Sequence, residues 1–255
     1  MARRKKPLHT RKTGESPSPY DRIFGVHAVR AALANDRRDI VAIYATRNGL
    51  DRIADALVLR GVKPEEVTPE QLSKRLDSDT VHQGVLIETK PLPTLDLAEA
   101  LARVSAASPL VVLDQVTDPH NVGAILRSAA AFNAAALVMT RRNSPPLEGT
   151  LAKAASGGLE HVPVVLVANL ARALEEAGQA GITRIGLDGA ADEPLEGIQA
   201  PGACAIVLGA EGKGVRRLTA ERCDFLCRLS TTGSLRSLNV SNAAAVALHT
   251  LTVRP

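Results

Sequence analysis

Apolar positions along this chain switch repeatedly between two periods. After Gly25, the residues Val26, Val29, Ala32 and Leu33 recur at helical spacing. Asp39–Thr46 reads as a strand bounded by Asn48-Gly49, and Leu50–Arg60 as a helix stopped by Gly61. Thr68-Pro69-Glu70-Gln71 carries a helix start, with Pro at the first helical position and Gln placed to reach back to the cap. Val85–Glu88 is a short strand. Together these predict a small α/β domain over residues 21–90. Pro91, Pro93 and the Ala/Ser-rich stretch to Ser108 read as a linker over 91–108 with one helix, Leu95–Val104.

Residues 109–255 repeat the alternation on a larger scale. Leu110–Leu113 is continuously apolar, as in a strand buried on both faces. The pattern then predicts a helix over Asn121–Phe132, a strand over Ala135–Met139 and a helix over Glu148–Ala155 ending at Gly157-Gly158. A strand over Val162–Val167 and a helix capped by Asn169 follow. Strands at Ile182–Leu187, Ala203–Leu208 and Phe225–Leu229 precede an Ala-rich closing helix, Asn239–Leu251. Such alternation implies a mostly parallel sheet covered on both faces, which ordinary connection rules would build as an open doubly wound sheet.

Composition narrows the function. With 45% hydrophobic and 23% charged residues the chain is globular. The formal charge of +4 is concentrated in residues 1–20, where Arg3, Arg4, Lys5, Lys6, Arg11 and Lys12 face only Glu15. That Pro/Ser/Thr-rich segment predicts a disordered basic tail, either solubilising or touching RNA phosphates. The remaining body is nearly neutral, so any nucleic-acid site there must be a local patch. Aromatic residues make up 2% and Trp is absent, which argues against a stacking platform for single-stranded RNA. Three cysteines, an odd and small number, argue against a disulfide framework and fit a reducing compartment. Cys223 and Cys227 lack a second pair to complete a zinc site, and His9, His27, His82, His161 and His249 show no metal spacing. The sequence has no apolar run of membrane-spanning length and no secretory apolar region, so the expectation is a cytoplasmic protein without metal or membrane partners.

Three segments at predicted strand ends are crowded with Gly, Asn, Ser and charge: Asp114–Ser128, Leu208–Gly214 and Thr231–Ser241. Ligands of parallel α/β sheets gather beyond such carboxyl ends. The generic readings fail. Lys213 is followed by Gly214 rather than Ser or Thr, so the second segment is not a P-loop, and its glycine spacing is not that of a dinucleotide fingerprint. No Cys lies in the three segments to attack a base, and no Gly-x-Ser-x-Gly elbow presents a serine nucleophile.

Asp118-Pro-His-Asn-Val-Gly-Ala-Ile-Leu-Arg-Ser128, Gly209-Ala-Glu-Gly-Lys-Gly214 and Ser237-Leu-Asn-Val-Ser241 resemble, in order and spacing, the three motifs of the SpoU/TrmH branch of SPOUT RNA methyltransferases. Gly25-Val-His-Ala-Val and Val81-His-Gln-Gly-Val resemble the amino-terminal substrate-binding domain of members that modify 23S rRNA. The likeness covers about residues 22–252. It implies an α/β protein with an L30-like RNA-binding domain and a SPOUT domain containing a deep trefoil knot. It also implies a homodimer, S-adenosylmethionine as cofactor, and methyl transfer to a guanosine ribose 2′-hydroxyl of large-subunit rRNA. The same chemistry on tRNA is an alternative, although such enzymes usually lack the first domain; a non-catalytic rRNA-binding assembly factor is another.

By this resemblance Arg127 is the central catalytic residue. A guanidinium stays protonated, so we favour Arg127 binding the adjacent phosphate and stabilising charge on the 2′-oxygen over its acting as a base. Asn121, six residues earlier, faces elsewhere on one helix and is expected to cap the turn and brace the site. Glu211 would orient the arginine or RNA, and Ser237 and Asn239 would hold arginine and substrate. Gly209, Leu229 and Leu238 would contact the cofactor through their backbone. In place of the family's frequent Ile-Pro-Met stand Leu229, Ser230 and Thr231, which makes that edge less rigid.

Overall fold

The computed structural model describes residues 19–77, 80–198, 202–212, 214–234 and 237–253. Residues 1–18 of the basic tail predicted over 1–20, and Lys213, lie outside the described residues. The first domain runs β1 (Asp21–Phe24), α1 (Val26–Ala34), β2 (Ile40–Ala45), α2 (Arg47–Arg60), β3 (Glu65–Glu66), α3 (Pro69–Lys74) and β4 (Val85–Thr89). Its four strands are ordered β1-β4-β2-β3, antiparallel except for the β2–β3 pair. Pleating sends Ile23, Val85 and Ile87 to one face and Phe24 and Leu86 to the other, so both faces are buried. The capping box at Thr68 forms, with Gln71 returning to the Thr68 amide. Asn48-Gly49 does not close a strand. Thr46 caps α2 by accepting from the Gly49 amide, which draws both residues into the helix.

A short helix, α4 (Leu97–Leu101), leads to the second domain. There follow β5 (Leu110–Asp114), α5 (Pro119–Ala131), β6 (Ala136–Thr140), α6 (Gly149–Ala155), α7 (Gly158–His161), β7 (Val164–Val167), α8 (Leu170–Gln179), β8 (Thr183–Leu187), β9 (Glu193–Pro194), β10 (Cys204–Gly209), α9 (Arg217–Ala220), β11 (Phe225–Arg228) and α10 (Val240–Thr252). The sheet order is β7-β6-β5-β10-β8-β11-β9, with every described pairing parallel. β10 therefore enters between β5 and β8 after both have been laid down. Alternation again divides the side chains: Val111, Leu113, Ile206 and Leu208 pack beneath α5, α6 and α10, while Leu110, Val112, Ala205 and Val207 pack beneath α4 and α8.

The two domains share one apolar core, in which α1 and β1 meet α6. A buried ion pair joins them as well. The Arg38 guanidinium donates from Nη2 to Glu160 Oε1 at 2.9 Å and from Nε to both carboxylate oxygens at 3.1 Å. Asn35 adds a 2.7 Å bond to the same carboxylate.

Candidate active site

The parallel register lines up Gly209 with Asp114, and Leu208 with Leu187, so the segments after β5, β8 and β10 open at one edge of the sheet. A cavity of about 370 Å³ lies there, a volume suited to a nucleoside-sized ligand. Gly209, Glu211, Leu229, Ser237 and Leu238 all line it. Its apolar walls are Leu187, Leu208, Leu229, Leu238 and Val240, and Gly209, Ala210, Glu211, Gly212 and Gly214 from the segment after β10 also line it. A Cβ added at Gly209 would fall inside the carbonyl group of Gly214, because the two strands of this turn run in direct backbone contact. Gly212 and Gly214 hold φ of +75° and +64°, which glycine adopts without strain.

Asn239 and Asn121 meet beside this cavity. Asn239 is the amino-terminal cap of α10: its Oδ1 accepts from the Ser241 amide at 2.9 Å and from the Ser241 hydroxyl at 2.6 Å. Its Nδ2 donates to Asn121 Oδ1 at 3.1 Å, so the one amide donates and accepts at once. The expectation that Asn121 caps α5 is corrected: Asp118 does so, accepting from the His120 amide, and Pro119 begins the helix. Asn121 occupies the first turn and links the first and third motifs.

Arg127 stands apart. It is exposed on the solvent face of α5 and does not line the cavity. Its position is nevertheless fixed from below, because Leu126 is fully buried and Gly158 abuts the Leu126 carbonyl and the Arg127 amide. Two features escaped the sequence reading. The segment Asp188–Ala190 after β8 forms one cavity wall; its Asp-Gly at a predicted strand end was a usable signal. The other is the fully buried Asp114, whose carboxylate accepts from the Arg216 amide at 2.9 Å and from its Nε at 2.6 Å, pinning the segment after β10 to β5.

Burial pushes the Cys223 thiol up to about 12, and Cys204 and Cys227 are buried. Among the described residues no group of three or more His, Cys, Asp or Glu is placed to hold a metal ion, and no helix is long and apolar enough to cross a membrane.

A model of the SpoU rRNA methylase family matches residues 108–249, more than half of the chain. The chain belongs to the SpoU rRNA methylase family. A second model, for RNA 2′-O ribose methyltransferase substrate binding, matches residues 22–95. Among curated SpoU relatives, the 23S rRNA (guanosine-2′-O-)-methyltransferase RlmB of Pseudomonas aeruginosa is 39% identical over 236 residues, spanning 91% of this chain and 95% of that protein. The RlmB of Ralstonia nicotianae is 42% identical over 231 residues, spanning 89% and 92%. In structure, the SpoU methyltransferase AviRb from Streptomyces viridochromogenes, solved with AdoMet, superposes with a TM-score of 0.76 at 22% identity, covering 92% of this chain and 90% of AviRb. The TrmH/SpoU tRNA modifying enzyme of A. aeolicus superposes with a TM-score of 0.52 at 22% identity, covering 62% of this chain and 79% of that enzyme.

Proposed function

We propose that this chain transfers a methyl group from S-adenosylmethionine to the 2′-hydroxyl of a guanosine ribose in 23S rRNA, acting in the cytoplasm as a homodimer. The observation that carries the reading is the convergence of the second and third motifs on one cavity, with the first motif tied to it through the Asn121–Asn239 bond. Near-full-length likeness to 23S rRNA (guanosine-2′-O-)-methyltransferases supports the substrate.

The cavity fits the cofactor. Its leucine and valine walls suit an adenine ring, and main-chain N–H and C=O groups at its rim can read the ring edge. When bound, S-adenosylmethionine supplies an electrophilic methyl group. Gly209, Leu229 and Leu238 hold it, and Glu211 and Ser237 stand at the rim where RNA would enter. Arg127 binds the phosphate next to the target ribose and stabilises charge developing on the 2′-oxygen; it remains protonated throughout, so the 2′-hydroxyl proton passes to solvent water as the O–CH3 bond forms, the S–CH3 bond breaks and S-adenosylhomocysteine leaves. Alignment of that oxygen with the methyl carbon contributes several kcal/mol, toward the roughly 7–11 kcal/mol limit for ideal positioning.

An exposed Arg127 outside the cavity of its own chain fits a site completed by a second copy. The faces available for pairing carry Leu238, Val246 and Val253, all substantially exposed. Placement of β10 between β5 and β8 supports threading of the last third of the chain as a trefoil knot. We read residues 21–90 as the RNA-gripping domain, 91–108 as the connection and 109–255 as the transferase domain. The test is transfer of labelled methyl from the cofactor to 23S rRNA fragments, with mapping of the modified ribose. Arg127→Ala should reduce single-turnover transfer by at least a hundredfold while cofactor binding persists. Near-normal transfer by that variant would overturn the role of Arg127, and absence of transfer by the native protein to any rRNA would overturn the function.

A further inference from the structure

A second cavity, of about 560 Å³, opens at the same edge of the sheet beyond β5, β6 and β7. It shares one wall with the proposed cofactor site, the segment after β10. The segment after β10 gives its glycines to the first cavity and Arg216 and Arg217 to the second. The segment after β5 gives Gln115 to the second cavity and Asn121 to the bond beside the first.

The two cavities differ in chemistry. The second has three arginines in its lining, Arg142, Arg216 and Arg217, and no carboxylate among its described lining residues. Charges facing it from neighbouring groups are partly offset: Asp114, fully buried beneath, pairs with Arg216 through Nε, and Glu221 pairs with Arg217. Both arginines still keep much of their side chain in solvent, 53% for Arg216 and 77% for Arg217. Arg142 is exposed on the facing wall. Gln115 and Asn143 add amide groups, and both hold left-handed backbone, with φ of +62° and +65°. Such conformations cost a non-glycine residue roughly 1 kcal/mol or more, and the surrounding fold must hold them. In a nearly neutral body any RNA site must be a local patch, and this cavity gathers three arginines in one place.

We propose that this cavity is a second nucleotide-binding subsite, which takes a phosphate and base of the RNA strand flanking the nucleotide to be methylated. Arginine forks bind the phosphodiester, and the Gln115 and Asn143 amides face the base edge. The subsite rests on the RNA-methyltransferase reading and adds to it where the strand runs: over the segment after β10, from one cavity to the other. Arg142 and Arg217 are positioning residues; neither touches the reacting atoms.

The test uses the full-length protein, a 23S rRNA fragment that it methylates, and Arg142→Ala, Arg217→Ala and the double variant, with Arg142→Lys as the charge-retaining control. Affinity for the fragment is followed by fluorescence anisotropy across a salt series, alongside KM and kcat. The double variant should weaken binding at least tenfold and reduce the slope of log affinity against log salt by roughly 1.4, about 0.7 for each lost single-strand phosphate contact. KM should rise with kcat within about twofold, S-adenosylmethionine affinity should stay unchanged, and Arg142→Lys should restore most of the slope. Unchanged affinity and slope in the double variant, with the native protein still methylating the fragment, would overturn the subsite alone. A fall in kcat with KM unchanged would overturn it too, since the arginines would then act on the reaction and not on RNA docking. Failure of the native protein to methylate or bind any rRNA would instead overturn the function on which it rests.

Discussion

Removing the Glu160 carboxylate should loosen the joint between the two domains more than any surface substitution. Glu160→Ala strips Arg38 of its bidentate partner, and Arg38 is only 1% exposed. The remaining neighbours of the guanidinium are Asp21 at 3.5 Å, the Thr89 hydroxyl at 3.3 Å and the Lys90 carbonyl at 3.4 Å, all long contacts. A buried cation left without its main partner costs about 3–5 kcal/mol. In a chain of this size that corresponds to a fall in Tm of roughly 6–20 °C. Asp21 cannot take over the role. Burial, the largest influence on it, holds its carboxyl above the ordinary range despite the attraction of Arg38. Its neutral form therefore supports folding at low pH, and that support is lost as pH rises through the raised value. Asp21→Asn should consequently be neutral or slightly stabilising at pH 7, opposite in sign to Glu160→Ala. Differential scanning calorimetry of both variants and of Arg38→Met/Glu160→Leu checks the reasoning; the double variant should regain most of the loss. A Glu160→Ala penalty below about 1 kcal/mol would refute it.

Gly209→Ala should abolish S-adenosylmethionine binding in calorimetry, because its methyl group collides with the Gly214 carbonyl across the cavity rim. Asn121→Ala and Asn239→Ala should each lower methyl transfer at least tenfold, and their double variant should lose far less than the product of the two, since they share one hydrogen bond. Asn239→Ala should also cost about 1 kcal/mol of stability as a lost cap, read from chemical denaturation. Alkylation of Cys223 at pH 8 should be about a thousandfold slower in the folded protein than for a free thiol, with burial holding the thiol near 12; fast labelling under native conditions would contradict that. Gly158→Ala should lower kcat with cofactor affinity unchanged, since its Cβ would lie 2.7 Å from the Leu126 carbonyl oxygen and 2.9 Å from the Arg127 nitrogen and must displace that turn of α5.

Long apolar runs and side-chain caps were legible because each is a local event. Leu110–Leu113 reads as a doubly buried strand, and Asn169 caps the eighth helix through the Arg172 amide as expected. What escaped depends on distant partners. β1 is four residues long and exists because β4 pairs with it across the sheet. β3 and β9 are two residues each and follow the strands they lie beside. Asp118 displaced Asn121 as a cap because Pro119 fixes the first helical position one turn earlier than apolar spacing implied. In the site, glycine-rich segments announced close backbone approach. The charge on Asp114 gave no sign that it would be fully buried, since its partner Arg216 is 102 residues away.

Residues 148–160 join the parts of this molecule that sequence motifs treat separately. Glu148 accepts from the Arg22 amide at 2.8 Å, and the Lys153 side chain packs against Gly25, so one end of the segment grips the first domain. Glu160, at the other end, holds Arg38. Between them α6 lies so close to α5 that a Cβ on Gly123 would be 2.6 Å from the Leu151 carbonyl oxygen, and α7 meets α5 at Gly158, directly under Arg127. A rigid-body tilt of the first domain must therefore move α6 and α7, and with them the turn that carries Arg127. Close packing leaves no slack at Gly123 or Gly158 to absorb such a tilt. The orientation of the first domain, which we propose grips RNA, and that of Arg127 are thus set by one piece of backbone, clamped at one end by the buried Arg38–Glu160 pair.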